Sequence, residues 1–326
     1  MPSALHDRIL RRAIRPNRVG RSISSLSLLA GWESLSRFTS RYSGYTPDIV
    51  RLEQVVPTSN AAGTSKLVMS SSDGNDHVVR KLWRFGTDAF EAPLPSVFRM
   101  LVRDASSVFI VGANSGFYAL QAASASLNAE VHAFEPYPPA FGLLSRNIGL
   151  NDLTDRITTW PIALGDRECT SELLVPEPRF GSVMETSASL AADFNQNVGE
   201  RIEVPVTTVD AFAAERKCGP SVLLIDVEGF ELQVIRGAVN TLRESKPYLI
   251  VEVFADRVTD VDELDDIRKS AHYECWELGK KTLTRRSSVA ACTSHPNQIW
   301  VPESSRREFV RIIESIEVLS CRENCG

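Results

Sequence analysis

The hydrophobic pattern changes period several times along this chain, and each change marks an element. Val108-Phe109-Ile110-Val111 is an unbroken apolar run, as a strand buried on both faces requires. It leads into the turn Gly112-Ala113-Asn114-Ser115-Gly116, after which Phe117, Leu120, Ala123 and Leu127 recur at helical spacing. Val131 to Phe134 repeats the strand pattern and ends at Glu135-Pro136, and Phe141, Leu143, Leu144 and Ile148 then predict a helix from Pro138 to about Gly149. Ile157 to Ala163 reads as a third strand closed by Gly165-Asp166. Val204–Val209 and Ser221–Ile225 are further strands, with Asp210 the expected cap of a short helix between them. One helix carrying Leu232, Ile235, Val239 and Leu242 leads to a strand from Tyr248 to Phe254. Late strands at 275–278 and 298–301 have no clear helix between them, which predicts an antiparallel pair at a sheet edge. Phe309, Ile312, Ile313, Ile316 and Leu319 line a closing helix.

Alternating strands and helices with short connections predict an α/β fold, a doubly wound and mostly parallel sheet. Before it, Lys66–Met69 and His77–Arg80 flank Ser-Ser-Ser-Asp-Gly-Asn-Asp and read as a hairpin around an Asp-Gly turn. A helix with Val97, Phe98, Leu101 and Val102 follows. Residues 176–199 are polar and rich in breakers, the composition of a binding loop or lid.

Charge divides the chain unevenly. Its formal net charge is −5, yet residues 1–45 hold eight Arg against Asp7 and Glu33, which is +6 and leaves −11 on the rest. The main domain is therefore expected not to bind nucleic acid. The basic, Ser-rich start fits an organellar transit peptide, a segment making peripheral contact with an anionic membrane, or a poorly ordered terminus. No apolar run reaches 18 residues, and six scattered Cys suit a reducing, cytoplasmic setting.

The opening turn bears on the cofactor. A dinucleotide fold uses G-x-G-x-x-G, whose second and third glycines admit a pyrophosphate and a closely packed helix. Here Asn114 and Phe117 stand in those places, which disfavours an NAD-dependent oxidoreductase, and no P-loop occurs. S-adenosylmethionine has no phosphate to cradle. It needs a tight turn, supplied by Gly112, Asn114 and Gly116, and an acid for the ribose hydroxyls, supplied by Glu135, 23 residues after Gly112. Ala163 to Asp166 is placed to border the adenine. No metal site is expected: His132 reads as a core histidine, His272 and His295 as loop residues, Asn147 as a helix-end residue, and the acids from Asp256 to Asp266 as a solvated face.

Together Gly112-Ala113-Asn114-Ser115-Gly116, Ala133-Phe134-Glu135-Pro136, Asn147, Ala163-Leu164-Gly165-Asp166, Val204–Asp210 and Ile225-Asp226-Val227-Glu228-Gly229 resemble FkbM-type methyltransferases over about residues 65–302. The resemblance implies a seven-stranded, Rossmann-like class I methyltransferase with an antiparallel edge strand. Residues 1–64 would be an extension and 303–326 a C-terminal helix and tail. It also implies O-methylation of a small-molecule, glycan or lipid acceptor. Asp226, at a strand end where open α/β sheets bind ligands, is the expected base or orienter, supported by Glu228. Two positions depart from the family pattern: Ile110 stands where an Asp is usual and Leu224 where a Lys is usual. An inactive cofactor- or partner-binding protein on the same fold is the alternative those departures raise.

Overall fold

The structure is a computed structural model that describes residues 46–57, 62–176, 188–191, 198–253, 260–292, 296–316 and 320–323. The chain opens with strands β1 (Ile49–Pro57) and β2 (Ala62–Ser70), then helices α1 (His77–Phe85) and α2 (Leu94–Val102). The next units are β3 (Ser107–Val111), α3 (Phe117–Ala125), β4 (Glu130–Phe134), α4 (Pro138–Gly149) and β5 (Ile157–Trp160). Three strands, β6 (Ala163–Leu164), β7 (Cys169–Pro176) and β8 (Val198–Thr207), precede α5 (Val209–Arg216) and β9 (Val222–Ile225). Helices α6 (Glu231–Arg236) and α7 (Val239–Glu244) lead to β10 (Tyr248–Glu252), α8 (Val261–Ser270), β11 (Tyr273–Leu278) and β12 (Thr282–Arg286). The last elements are β13 (Asn297–Pro302), α9 (Arg306–Glu314) and β14 (Ser320–Glu323).

The main sheet has the order β14-β12-β11-β13-β10-β9-β3-β4-β5. Strands β5, β4, β3, β9 and β10 run parallel, and β13 is antiparallel to both β10 and β11. The seven strands from β11 to β5 are the expected mostly parallel sheet. Among the described residues β12 and β14 lengthen it to nine, so β13 lies inside the sheet rather than at its margin.

Alternation along the strands feeds two cores, one on each face. On β9, Val222 and Leu224 join a core with residues of α2, α3 and α9. Leu223 and Ile225 join the other, with residues of α5 to α8. Strands β3 and β9 are nearly inaccessible on both faces, the packing that an unbroken apolar run anticipates.

Several expectations are corrected by the structure. Lys66–Met69 does pair in a hairpin, but its partner is the preceding strand: β2 lies antiparallel to β1, with Val50 opposite Met69 and Leu52 opposite Leu67. His77–Arg80 instead begins α1, because Asp76 caps it by accepting the Val79 N–H at 2.9 Å, and Val79, Leu82 and Trp83 fall on one buried face. The apolar side of the hairpin joins the same core as α1 to α3, so packing begins before residue 64. The expected third strand is divided. Residues 157–160 stay in the main sheet, whereas after Pro161 residues 163–164 pair with β8 in a separate three-stranded sheet, order β6-β8-β7. The cap of α5 is Thr208, accepting from Ala211 N–H at 2.9 Å. Asp210 reaches across to α7 and accepts from the backbone N–H groups of Asn240 and Thr241. That contact starts a new helix at Val239 and breaks the expected single helix into α6 and α7. Leu127 lies past the end of α3 and is 84% exposed. Residues 1–45, His295 and most of 176–199 lie outside the described residues.

Candidate active site

The strand ends of β3, β4 and β9 converge on a cavity of about 310 Å3. Gly112, Asn114, Glu135, Ala163, Asp226 and Glu228 all line it, so six residues singled out in the sequence are brought together. Gly116 and Asp166 do not line it. Gly116 instead starts α3 at φ 97°, where an added Cβ would lie 2.7 Å from Leu144 Cδ1 of α4. Asp166 turns aside toward Arg167, at 3.7 Å.

The opening turn is held from within. Gly112 and Ala113 N–H both donate to Phe134 O, Asn114 N–H donates to Glu135 Oε2 at 2.8 Å, Ser115 N–H to Asn114 Oδ1 at 2.7 Å and Gly116 N–H to Ala113 O. Every N–H from Gly112 to Gly116 is therefore already used. The turn has none to offer a pyrophosphate, which needs several. Gly112 has a further reason to be glycine: a Cβ there would sit 1.8 Å from the backbone oxygen of Asp226. The turns after β3 and β9 thus cross in direct contact, and Asp226 N–H donates to Val111 O.

Glu135 joins the turns. Its Oε2 takes the Asn114 N–H and its Oε1 the Tyr137 N–H at 2.9 Å. Burial pushes its carboxyl up to about 7 despite those two bonds, and the Asp226 charge adds to the rise. Each oxygen keeps a lone-pair direction for a ligand hydroxyl. Ile162, Ala163 and Leu164 continue the cavity wall as an apolar strip.

The turn after β9 is shaped by Glu231 and Ser189, which lie outside the sequence motifs. Glu228 has φ 54° and Gly229 φ 94°, a left-handed pair. Buried Glu231 accepts from Gly229 N–H at 2.9 Å and Val227 N–H at 3.4 Å, and Ser189 Oγ donates to Glu228 O at 2.7 Å. Asp226 is raised above the usual carboxylate range by burial and then by the Glu231 charge, and a hydrogen bond with Glu252 opposes the rise. Glu252, at the end of β10, is raised further by burial and by the charges of Asp226, Glu228, Glu91 and Glu231. Burial and mutual repulsion therefore favour the protonated form in this pair. Glu91 and Tyr118 also line this side, and Tyr118 Oη donates to Glu91 Oε2 at 2.7 Å. Among the described residues no group of three or more His, Cys, Asp or Glu is placed to hold a metal ion.

The pattern of the methyltransferase FkbM domain matches residues 111–275, just over half of the chain. The chain belongs to the FkbM methyltransferase family. It is 28% identical over 186 residues to the hexuronic acid methyltransferase AglP of Haloferax volcanii, covering 54% of this chain and 68% of that protein. It is 27% identical over 176 residues to the methyltransferase sdnD of Sordaria araneosa, covering 46% and 67% respectively. Among solved structures, methyltransferase FkbM from Methylobacillus flagellatus is similar at 16% identity and a TM-score of 0.38. That match covers 60% of this chain and 43% of the other, so this chain spans less than half of that protein's length.

The two positions at which the resemblance leads one to expect an Asp and a Lys prove to be one feature. Ile110 on β3 and Leu224 on β9 are register partners on adjacent strands, and both are almost fully buried in the same core. An Asp and a Lys at these places would stand side by side as a buried ion pair. Here an apolar pair replaces both members together, so neither position leaves an uncompensated charge.

His132 is a core residue. It is 8% exposed, its pKa is lowered by burial, and it packs edge-on against Phe109 and Phe212. Asn147 is fully buried and bridges the hairpin to the turn, accepting from Ser70 N–H and donating to Ser115 O, each at 2.7 Å. His272 is exposed, 3.9 Å from Glu303 Oε2 and away from the cavity.

Proposed function

We propose that this methyltransferase uses S-adenosylmethionine and methylates a hydroxyl of a sugar, lipid or secondary metabolite. The observation that carries this reading is the placement of Glu135 and Asp226 on one cavity, at the ends of the two strands whose turns flank Gly112. The donor fits the residues present. Glu135 is held with oxygens available to ribose hydroxyls, the strip at 162–164 suits an adenine face, and a turn with no spare N–H suits a ligand without phosphate.

When bound, the donor supplies an activated methyl group on a positively charged sulfur. Everything else is done by the chain. Asp226 orients the acceptor hydroxyl or takes its proton, with Glu252 beside it on the same cavity. The bond from Ser189 and the two bonds to Glu231 fix the peptides around Glu228, which sets where that side chain meets the cavity. AglP is named for methylating a hexuronic acid, which supports a carbohydrate among the acceptor classes.

The test is methyl transfer from radiolabelled donor to a panel of sugars and lipid alcohols by the wild type and by Asp226→Asn. The variant is expected to lose about 100-fold or more in kcat while still binding S-adenosylhomocysteine. Equal turnover by the two proteins would contradict the role given to Asp226.

A further inference from the structure

The cavity wall is not built only by the stretch that matches the family pattern. His77, Val78, Lys81, Phe90 and Glu91 reach it from residues N-terminal to position 111. Among them Glu91 is placed with the most constraint. Its backbone sits at φ 50° between α1 and α2, next to Phe90, whose ring meets Phe117 edge-on at a centroid distance of 5.5 Å. The residue as a whole is exposed, yet its carboxyl turns inward and accepts from Tyr118 Oη at 2.7 Å. Tyr118 is 8% exposed on α3 and is itself fixed edge-on against Phe98. Glu91 Oε1 has no hydrogen-bond partner among the described residues. Asp226, by contrast, is already engaged by Glu252.

Resting on the methyltransferase reading above, we propose that Glu91 is a further catalytic residue, the carboxylate that takes the acceptor's proton, and that Tyr118 is its positioning residue. In the step a bond forms between the acceptor oxygen and the methyl carbon. The carbon–sulfur bond breaks with its electron pair going to sulfur, and the hydroxyl proton passes to Glu91 Oε1. Asp226 and Glu252, on the same cavity, then orient the acceptor rather than deprotonate it. The groups that act on Glu91 are the Asp226 charge, which raises its pKa, and Tyr118 and Lys81, which lower it. Burial contributes most, and together they leave it at about 7, suited to general-base work near neutral pH.

The test uses the full chain with tritiated S-adenosylmethionine and, as acceptor probes, methyl glucoside, methyl mannoside and methyl rhamnoside, with S-adenosylhomocysteine affinity measured in parallel. Glu91→Gln is expected to lower kcat about 100-fold, to remove the limb of the pH profile near 7, and to leave S-adenosylhomocysteine affinity within about two-fold. Tyr118→Phe is expected to keep most of kcat but move that limb upward, because the ionised carboxyl loses a donor. A purely structural role would not move the limb. The proposal is overturned if Glu91→Gln keeps the wild-type limb and rate, or loses S-adenosylhomocysteine affinity in step with transfer. It is also overturned if the wild type binds S-adenosylhomocysteine yet methylates no probe. Failure of the wild type to bind S-adenosylhomocysteine would instead sink the underlying reading.

Discussion

The two halves of the cavity are built by different means. The half proposed for the donor is made from turns that directly follow β3 and β4, and its key groups bond to one another: Asn114 to Glu135, Gly112 and Ala113 to Phe134. The acceptor half is assembled from distant segments. Glu91 comes from before the family stretch, Ser189 from the connection between β7 and β8, and Glu252 from the end of β10. The donor half is therefore a local construction that tolerates little change. The carboxyls of the acceptor half, Glu91, Asp226 and Glu252, owe their state first to burial and then to one another's charge.

The largest expected effect lies beneath both halves, at the register pair. Ile110→Asp alone should destabilise the fold by about 3–5 kcal/mol, as an unpaired charge in a core does. Adding Leu224→Lys should recover a substantial part of that loss, because the two side chains are neighbours on adjacent strands. Denaturant unfolding of the four proteins in the cycle measures it. Strict additivity of the two single effects would mean that the positions do not meet, and the comparison with an ion pair would fall.

A smaller effect separates the halves. Glu135→Gln keeps an acceptor oxygen for one of its two N–H partners but loses the carboxylate that faces the cavity. It should weaken S-adenosylhomocysteine about ten-fold or more by calorimetry, whereas Asp226→Asn should leave that affinity nearly unchanged. The reverse pattern would exchange the roles of the two carboxylates.

The smallest effect is on stability against pH. Glu135 and Glu91 are pushed from an ordinary 4.5 up to about 7, and Glu252 is also raised. Between pH 4.5 and 7 the folded chain thus holds protons that the unfolded chain has released, so stability should fall as pH rises through that window. Thermal unfolding at pH 5.5 and 7.5 should give a lower Tm at the higher pH. Glu252→Gln should narrow the gap, since it removes one of the groups that keeps its proton in the folded chain after the unfolded chain has released it. A Tm that climbs with pH in the unliganded protein would contradict the crowding.

The same contrast explains what could be read from the residues alone. Gly112, Glu135 and Asp226 were legible because each ends an apolar run: Val111 leads into Gly112, Phe134 into Glu135 and Ile225 into Asp226. Period and punctuation carry that information. Glu91 lies in a stretch with no period, and Ser189 in a breaker-rich segment, so neither differs in sequence from an ordinary loop residue. Glu252 was visible only as one member of a strand, because its charge matters through neighbours that the fold supplies. His77–Arg80 reads as a strand because the β-branched pair Val78-Val79 favours one. The cap at Asp76 and the buried Leu82 and Trp83 decide for the helix. The pairing of Ile110 with Leu224 could not be read at all, since strand order and register arise from the whole sheet.

The central claim is that the turn at Gly112 and the carboxylate of Glu135 hold an adenosyl donor without phosphate. Calorimetric titration of the wild type with S-adenosylhomocysteine and, separately, with NAD tests it most directly. The account predicts saturable one-site binding of S-adenosylhomocysteine and none of NAD. Binding of NAD, or no binding of S-adenosylhomocysteine up to about millimolar concentration, a free energy of about −4 kcal/mol, would contradict it.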